Sequence, residues 1–408
     1  MEFIADFHIH SKYSRATSRD MDIPEIARYA KLKGILLVGT GDFTHPNWLS
    51  LLKSRLKQTS GNLFEYDGIK FILTGEVSNI YKQNDRIYKI HIIIFSPSFD
   101  TCDKINEKLS RYGNLWADGR PILSLSSKDL VKMLLDIDEN TFVVPAHIWT
   151  PHFSLFGANS GFDSIEECFG EELENIYALE TGLSSDPKMN WRLSSLDRYS
   201  LISNSDSHSP SRIGREANVF DCDINYGDII SALKNKDKNK FLMTIEFFPE
   251  EGKYHYDGHR NCGVCFSPEE TGRNDYKCPK CGRKLTLGVM HRVCKLSDRD
   301  EGFVPGNAIP YKNIVPLDEI IGAVQGKESQ SIAVKKEYLN ILENLGSELD
   351  ILLKIPKKEL EVRLSPEISS GIINMREQKV DIEPGYDGVY GKIKIRQEEE
   401  RPKQMTLF

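Results

Sequence analysis

Histidine and carboxylate recur at or near the ends of apolar runs through the first half of the chain. They are His8 and His10 in DFHIHS, Asp42 and His45 in GTGDFTH, Glu76 in ILTGE, His91 in YKIHIIIF, His147 in VVPAHI, Glu180 in ALETG, and Asp206 and His208 in NSDSHS. Imidazole suits Zn, Mn and Fe, and carboxylate suits Mg and Mn, so a mixed set suits two or three borderline ions that share a carboxylate. Extended backbone alternates its side chains. His8 and His10 therefore point to one side and can hold one ion, as can Asp206 and His208. Glu76 is the candidate bridge. Two ions roughly 3.5–4 Å apart can clamp the attacking and leaving oxygens of a displacement at phosphorus, so these residue types favour phosphoester hydrolysis. Taken singly, His91 or His147 in an apolar strand reads more readily as a hydrogen-bonded core histidine, and Glu180 reads equally as the cap of a turn. The joint occurrence of HxH on the first run and DxH on the last tips the balance toward metal.

The elements that must position these groups can be traced from the spacing of apolar residues. β-Branched runs (EFIADFHIH, ILLVGTGD, IKFILTGE, YKIHIIIF, TFVVPAHI, NIYALETG, LISNSDSH) alternate with helical patterns such as PEIARYAKLKG and the stretch around Trp48–Lys57. Such alternation predicts a parallel sheet covered on both faces. Closed into a barrel, it would gather the carboxyl ends of its strands, and with them the histidines and acids, at one mouth.

In this order the motifs DFHIHS, GTGD, TGE, the isolated His91 and His147, and SDSH resemble the PHP (polymerase and histidinol phosphatase) superfamily. Within it, GTGDFTHP, ALETGLSSDPKMNWRLS and ISNSDSHSPSRIGREAN are similar to the endonuclease Q group. The resemblance implies a distorted seven-stranded (β/α) barrel with a two- or three-metal phosphoesterase site. It implies an enzyme that nicks DNA on the 5′ side of a deaminated base (hypoxanthine, uracil, xanthine) or an abasic site. By family pattern His8, His10, Glu76 and Asp206 would hold one ion and Glu76, His91 and His147 a second, with Asp42, His45 and His208 left for a third. Arg15, in HSKYSRATS, stands where many PHP phosphatases carry an acid or a histidine. A cation cannot ligate a metal, so Arg15 is expected to contact a substrate phosphate, which a fork-shaped guanidinium does well. Asp206, His208, Glu76 and Arg15 are the expected catalytic set.

A second pattern, CGVC, twelve intervening residues, then CPKC, presents Cys262, Cys265, Cys278 and Cys281 as paired knuckles for one structural zinc. Between Lys253 and Lys295 nine Lys or Arg face four acids. Four thiolates and one zinc leave the module positively charged, which suits DNA phosphates through Lys280, Arg283 and Lys284. A purely structural clip is the alternative. Tyr386 and Tyr390, in PGYDGVYGKIKI, are candidates to stack on an unpaired base, or else plain loop anchors.

At 408 residues and 39% hydrophobic content the chain can bury full cores in two or three domains. The expected division is a barrel over 1–240, a four-cysteine zinc ribbon over 241–300, a mainly helical domain over 301–395 and a tail over 396–408. No apolar run approaches the ~20 residues of a membrane span, and EFIADFHIH leaves no room for a signal peptide, so a cytosolic protein with reduced cysteines is expected. A net charge of −7 argues against a generic polyanion binder and requires local patches for DNA. The tail ends in Gln404, Met405, Thr406, Leu407 and Phe408, which resembles the peptide that docks bacterial proteins on the β sliding clamp. Two other functions fit parts of the pattern: a small-molecule phosphatase of the histidinol-phosphate type, and a non-catalytic DNA-binding accessory. No GxxxxGK[ST] loop is present for ATP-driven unwinding.

Overall fold

The apolar β-branched runs become strands in a computed structural model that describes residues 1–395. The clamp-like peptide Gln404–Phe408 lies outside the described residues. Chain order gives β1 (Glu2–Asp6), helix α1 (Ile23–Lys33), β2 (Leu37–Gly39), α2 (Pro46–Arg55), the short β3 (Lys57–Gln58) and β4 (Phe64–Tyr66), then β5 (Ile69–Gln83) and β6 (Arg86–Ser96). Next come α3 (Phe99–Leu109), β7 (Ile122–Leu123), α4 (Ser127–Ile137), β8 (Phe142–Pro145), β9 (Ala178–Glu180), β10 (Ser200–Ile202) and β11 (Ala217–Asp221). Local signals account for the helix ends. Asp22 caps α1 by accepting from the Glu25 amide, Pro24 sits in its first turn, and Gly34 ends it at φ 85°.

The fold is a mixed α/β architecture, and its sheet departs from the all-parallel expectation. β1, β2 and β5 are parallel neighbours, as are β9 and β10. β5 and β6, however, form one long antiparallel hairpin, and β6 pairs antiparallel with β8. The cause is local: Asn84 and Asp85 both adopt positive φ (47° and 61°), the tight turn that matches strand twist and joins two strands without a helix. The sheet also runs past residue 240. β12 (Phe241–Glu246) pairs with β11 and, on its other side, with a strand over Tyr311–Asn313. Residues Phe241–Glu246, expected within the zinc-ribbon segment that starts at 241, therefore belong to the main sheet.

Three further contacts link strand ends. Ile9 bridges Ser207 in parallel, the Ile148 amide donates to the Glu180 carbonyl (3.0 Å), and the Thr181 amide donates to the Ile202 carbonyl (2.9 Å). Beneath these ends lies a core in which Phe3, Phe7, Phe95, Phe142, Phe220 and Phe241 are buried with Leu37, Ile72 and Val144. Phe7 packs edge-on against Phe95 at 5.4 Å and Phe3 stacks on Phe220 at 5.5 Å.

The chain divides into two compact units, Met1–Asn313 with Pro384–Gly391, and Ile314–Glu383 with the segment from Lys392. The second is mainly helical. Its helices lie over Leu317–Gln325, Ile332–Leu345, Glu348–Leu353, Lys357–Arg363 and Pro366–Arg376, before a hairpin of Val380–Glu383 with Lys392–Ile395. Glu348 ties this unit together by accepting from the Tyr338 hydroxyl (2.6 Å) and the Leu317 amide (3.1 Å). Among the described residues no helix is long and apolar enough to cross a membrane.

Candidate metal centre

His8 and His10 follow β1, Asp42 follows β2, Glu76 sits within β5, His91 lies on β6, His147 follows β8, Glu180 ends β9, and Asp206 and His208 follow β10. The hairpin places His91 opposite Ser78, on the same face as Glu76. One carboxylate then serves two groups. Glu76 Oε2 lies 3.5 Å from His8 Nε2 and 3.2 Å from His10 Nε2, while Asp206 Oδ1 is 3.0 Å from His10 Nε2. Glu76 Oε1 lies 2.7 Å from His91 Nδ1 and 3.1 Å from His147 Nε2. Within each group, His8/His10/Glu76/Asp206 and Glu76/His91/His147, the donor atoms are all within 4.8 Å of one another.

The two HxH imidazoles are oriented from behind. Asp42 Oδ1 accepts from His10 Nδ1 at 2.9 Å, and its Oδ2 accepts from the Ser11 amide (2.6 Å), the Ser11 hydroxyl (2.7 Å) and the Ser14 hydroxyl (2.9 Å). Glu180 accepts from His8 Nδ1 at 3.0 Å, from the His147 amide at 2.8 Å and from Asn204 Nδ2 at 2.8 Å. With the Nδ1 proton of each held in this way, Nε2 faces the pocket, where a divalent ion can replace its proton, the arrangement that makes histidine a good ligand. His8 Nε2, His10 Nε2 and Asp206 Oδ1 are buried without a hydrogen-bond partner. Buried polar atoms left unpaired are costly. The donor set therefore fits divalent metal, with nitrogen and oxygen ligands suited to Zn, Mn or Fe.

This geometry divides the expected ligand set. Asp42 and Glu180 hold imidazoles; neither belongs to a donor group. His45 stacks on Tyr13 at 4.5 Å, with its Nδ1 unpartnered, and His208 directs Nδ1 to the Asp206 carbonyl at 2.8 Å. Among the described residues, Asp42, His45 and His208 form no third group. Arg15 stays outside the pocket, 76% exposed, with Nε 3.4 Å from Asp118. Another cation reaches the centre instead: Arg120 Nη1 lies 3.1 Å from Glu76 Oε2, with its side chain only 25% exposed. It comes from the irregular ADGRP loop, where no periodic pattern marks it.

Charges in the pocket are strongly coupled. Burial disfavours the imidazolium of His8, but Glu180, Glu76 and Asp206 outweigh it and raise its pKa well above the ordinary value; Asp42, Asp206 and Glu76 do the same for His10. Burial dominates at His91, pushing it down to about 4. Glu76 stays ionised against its burial because His91, Arg120 and His8 surround it. Three residues here, Asp42 (φ 48°), His147 (φ 30°) and Asp206 (φ 46°), adopt the left-handed backbone that non-glycine residues avoid. Such strain costs about 1–3 kcal/mol per residue and concentrates where side chains must be aimed.

The cysteine module also separates its expected ligands in space. The strands Asp257–His259 and Val264–Phe266 pair antiparallel with His259 opposite Val264 and Gly258 opposite Cys265. Val264 packs on Cys278 and Leu285, so the pleat carries His259 to that face and Cys265 to the other, where its Sγ lies 3.9 Å from the Pro384 carbonyl. His259, Cys262, Cys278 and Cys281 are the four groups brought together, with His259 Nδ1 3.5 Å from Cys281 Sγ. Burial opposes the Cys278 thiolate, but the amides of Lys280 and Cys281 donate to it and bring its pKa down to about 6. Lys280 Nζ is spent on the Cys262 carbonyl at 2.7 Å, whereas Arg283 and Lys284 are exposed. Tyr386 packs against Gly258, where a Cβ would meet its ring at 2.3 Å, and so serves as an anchor; Tyr390 is 69% exposed.

A mixed α/β fold with a buried imidazole–carboxylate centre that shares one glutamate defines a metal-hydrolase type of site. The crystal structure of the lesion-specific endonuclease PfuEndoQ from Pyrococcus furiosus matches with a TM-score of 0.88 and 34% identity, covering 98% of this chain and 96% of that one. The chain belongs to the endonuclease Q family. A crystal structure of an endonuclease Q complex with a 27-mer duplex substrate carrying an abasic lesion at the active site matches with a TM-score of 0.86 and 34% identity, covering 98% of each chain. The uncharacterized protein YqxK of Bacillus subtilis is 29% identical over 96% of this chain and 98% of its own length. Residues 316–379 match the family model described as the MJ0043 C-terminal domain. The Methanocaldococcus jannaschii protein MJ0043 is 30% identical over 72% of this chain, which spans 38% of that relative's length.

Because Asp42 and Glu180 act through the imidazoles, Asp42→Asn and Glu180→Gln should each weaken metal affinity by about 10–100-fold without removing a ligand, as read by manganese titration; unchanged affinity would disprove the orienting role. In the cysteine module, His259→Ala should lose zinc while Cys265→Ser retains it, measured by elemental mass spectrometry. The reverse pattern would restore the four-cysteine set.

Proposed function

We propose that the protein is a metal-dependent DNA-repair endonuclease that hydrolyses the phosphodiester on the 5′ side of a deaminated base or an abasic site. The observation that carries this reading is the match to endonuclease Q over 98% of the chain, joined to a donor set suited to two ions bridged by Glu76. In the reaction a water oxygen forms a new bond to phosphorus, the bond to the 3′ oxygen breaks, and that oxygen takes up a proton, leaving 3′-hydroxyl and 5′-phosphate ends. Divalent ions held by His8, His10, Asp206, Glu76, His91 and His147 would lower the pKa of water and stabilise charge on phosphate oxygens. The chain's own part is to keep the imidazoles aimed, through Asp42 and Glu180 for the HxH pair and through Thr150 Oγ1, 3.1 Å from Nδ1, for His147.

The finer architecture is a distorted seven-stranded barrel of β1, β2, β5, β6, β8, β9 and β10. The contacts between strand ends at Ile9–Ser207, Ile148–Glu180 and Thr181–Ile202 support it. A structural zinc on His259, Cys262, Cys278 and Cys281 would hold the module that presents Arg283 and Lys284. A phosphatase of the histidinol-phosphate type is disfavoured because the likeness to endonuclease Q extends beyond the centre to the whole chain.

End-labelled duplexes carrying deoxyinosine, deoxyuridine or an abasic site, incubated with Mg, Mn or Zn alongside histidinol phosphate, decide between these activities. A single nick 5′ of the lesion is expected, together with its loss in Asp206→Ala while DNA binding persists; hydrolysis of histidinol phosphate with intact lesion DNA would sink the assignment. For the basic module, Arg283→Glu with Lys284→Glu should weaken duplex binding and flatten its dependence on salt in fluorescence anisotropy. An unchanged salt slope would leave the module as a structural clip.

A further inference from the structure

Resting on the endonuclease reading, we propose that Arg120 receives a non-bridging oxygen of the scissile phosphate and is a catalytic residue in its own right. Its guanidinium makes one hydrogen bond among the described residues, to Glu76 Oε2 at 3.1 Å. Most of its donors therefore remain for another acceptor. Glu76 is also the carboxylate that both donor groups share. With only imidazoles around it, Glu76 accommodates the guanidinium as a counter-charge. With divalent ions in both groups, a fixed cation about 3 Å from the same carboxylate faces several positive charges in a low-dielectric pocket, and the electrostatics demand an anion. A phosphodiester bound between the ions and Arg120 satisfies all three.

The backbone holds Arg120 where this requires. The Gly119 amide donates to the Tyr13 carbonyl (3.1 Å), the Thr44 hydroxyl donates to the Gly119 carbonyl (2.9 Å), and the Ser78 amide donates to the Pro121 carbonyl (2.9 Å). The loop is thereby tied to the HxH segment, to the GTGD turn and to β5. Position 119 admits only glycine, since a Cβ there would lie 2.3 Å from Asp42 Oδ2 and 2.4 Å from Ser14 Oγ. The Arg120 amide and the backbone and side chain of Arg15 all turn to Asp118, which keeps Arg15 at the rim and leaves Arg120 as the inward cation. A planar fork of donors fits a phosphate's oxygens better than a lysine ammonium does.

The test compares metal-loaded wild type, Arg120→Ala and Arg120→Lys in three measurements: metal ions per chain, inorganic phosphate binding by calorimetry, and cleavage of an abasic duplex. Arg120→Ala should keep its metal content, bind inorganic phosphate at least about tenfold more weakly, and lose about 10²–10³ in kcat, as expected for a preorganised transition-state donor; Arg120→Lys should recover part of both losses. Wild-type phosphate affinity in Arg120→Ala, or loss of its metal ions, would overturn the proposal, the latter by making Arg120 a support for Glu76. Should Arg120→Ala fail to fold, phosphate affinity in Arg120→Lys equal to wild type would overturn it alone. If wild type cleaves no lesion duplex yet its phosphate binding depends on Arg120, the endonuclease reading falls and the role of Arg120 as a phosphate ligand stands.

Discussion

Charge balance in one buried pocket governs this molecule. Asp42, Glu76 and Glu180 are almost fully removed from solvent, as are His8, His10, His91 and His147, and Asp206 joins them with a partly exposed side chain. Carboxylates in such surroundings persist only when paired. Each here is paired in a different way: Asp42 and Glu180 with the rear nitrogens of His10 and His8, Glu76 with both histidine groups and Arg120, and Asp206 with the front of the HxH pair. The histidines divide into two with a proton directed backward and two facing the second oxygen of Glu76. That division turns a cluster of side chains into two adjoining donor groups that share one carboxylate.

Holding that balance shapes the surrounding backbone. Most strands stop short of the pocket, and many of its groups project from the turns after them, where Asp42, His147 and Asp206 take up left-handed φ values that a regular strand would forbid. The associated cost is offset by bonds these turns alone can make, such as the His147 amide to Glu180 and the His10 amide to the Ser207 carbonyl. Asn204 extends the support one layer deeper: its side chain bonds Glu180, accepts from the Phe7 amide and accepts from Asn218. Orientation of the first histidine thus reaches back into the packing of β1 and β11. Rigidity of this kind is what a site needs if donors are to meet a phosphate without reorganising.

Pleat geometry sorts the side chains of the cysteine module in the same manner. A two-stranded ribbon can present to one face only every second residue, and the pairing of His259 with Val264 commits Cys265 to the opposite side. The spacing of CGVC and CPKC is equally compatible with four sulfurs. The register brings three of the sulfurs together with His259.

Much of the centre was legible in the chain because its residue types have few other uses together: HxH after the first strand, DxH after the last, and a lone glutamate in a β-branched run predict a shared cation site whatever the fold details. The helix ends were legible too, through Asp22, Pro24 and Gly34. The hairpin carried its signal in Asn84–Asp85, although alternation of strand and helix elsewhere argued against it. What one-dimensional spacing could not show is which atom of each side chain faces which neighbour. Asp42 and Glu180 look like ligands in sequence because an orienting carboxylate and a coordinating one share chemistry, and they differ only in which side of an imidazole they approach. Arg120 and His259 were hidden for a related reason: one sits in an irregular loop and the other depends on strand register, and both properties arise only when distant segments pack. Residue chemistry therefore determined that histidines and carboxylates of the metal-binding kind recur along this chain, while tertiary structure alone decided which of their atoms face one another, since that is set by direction over a few ångströms.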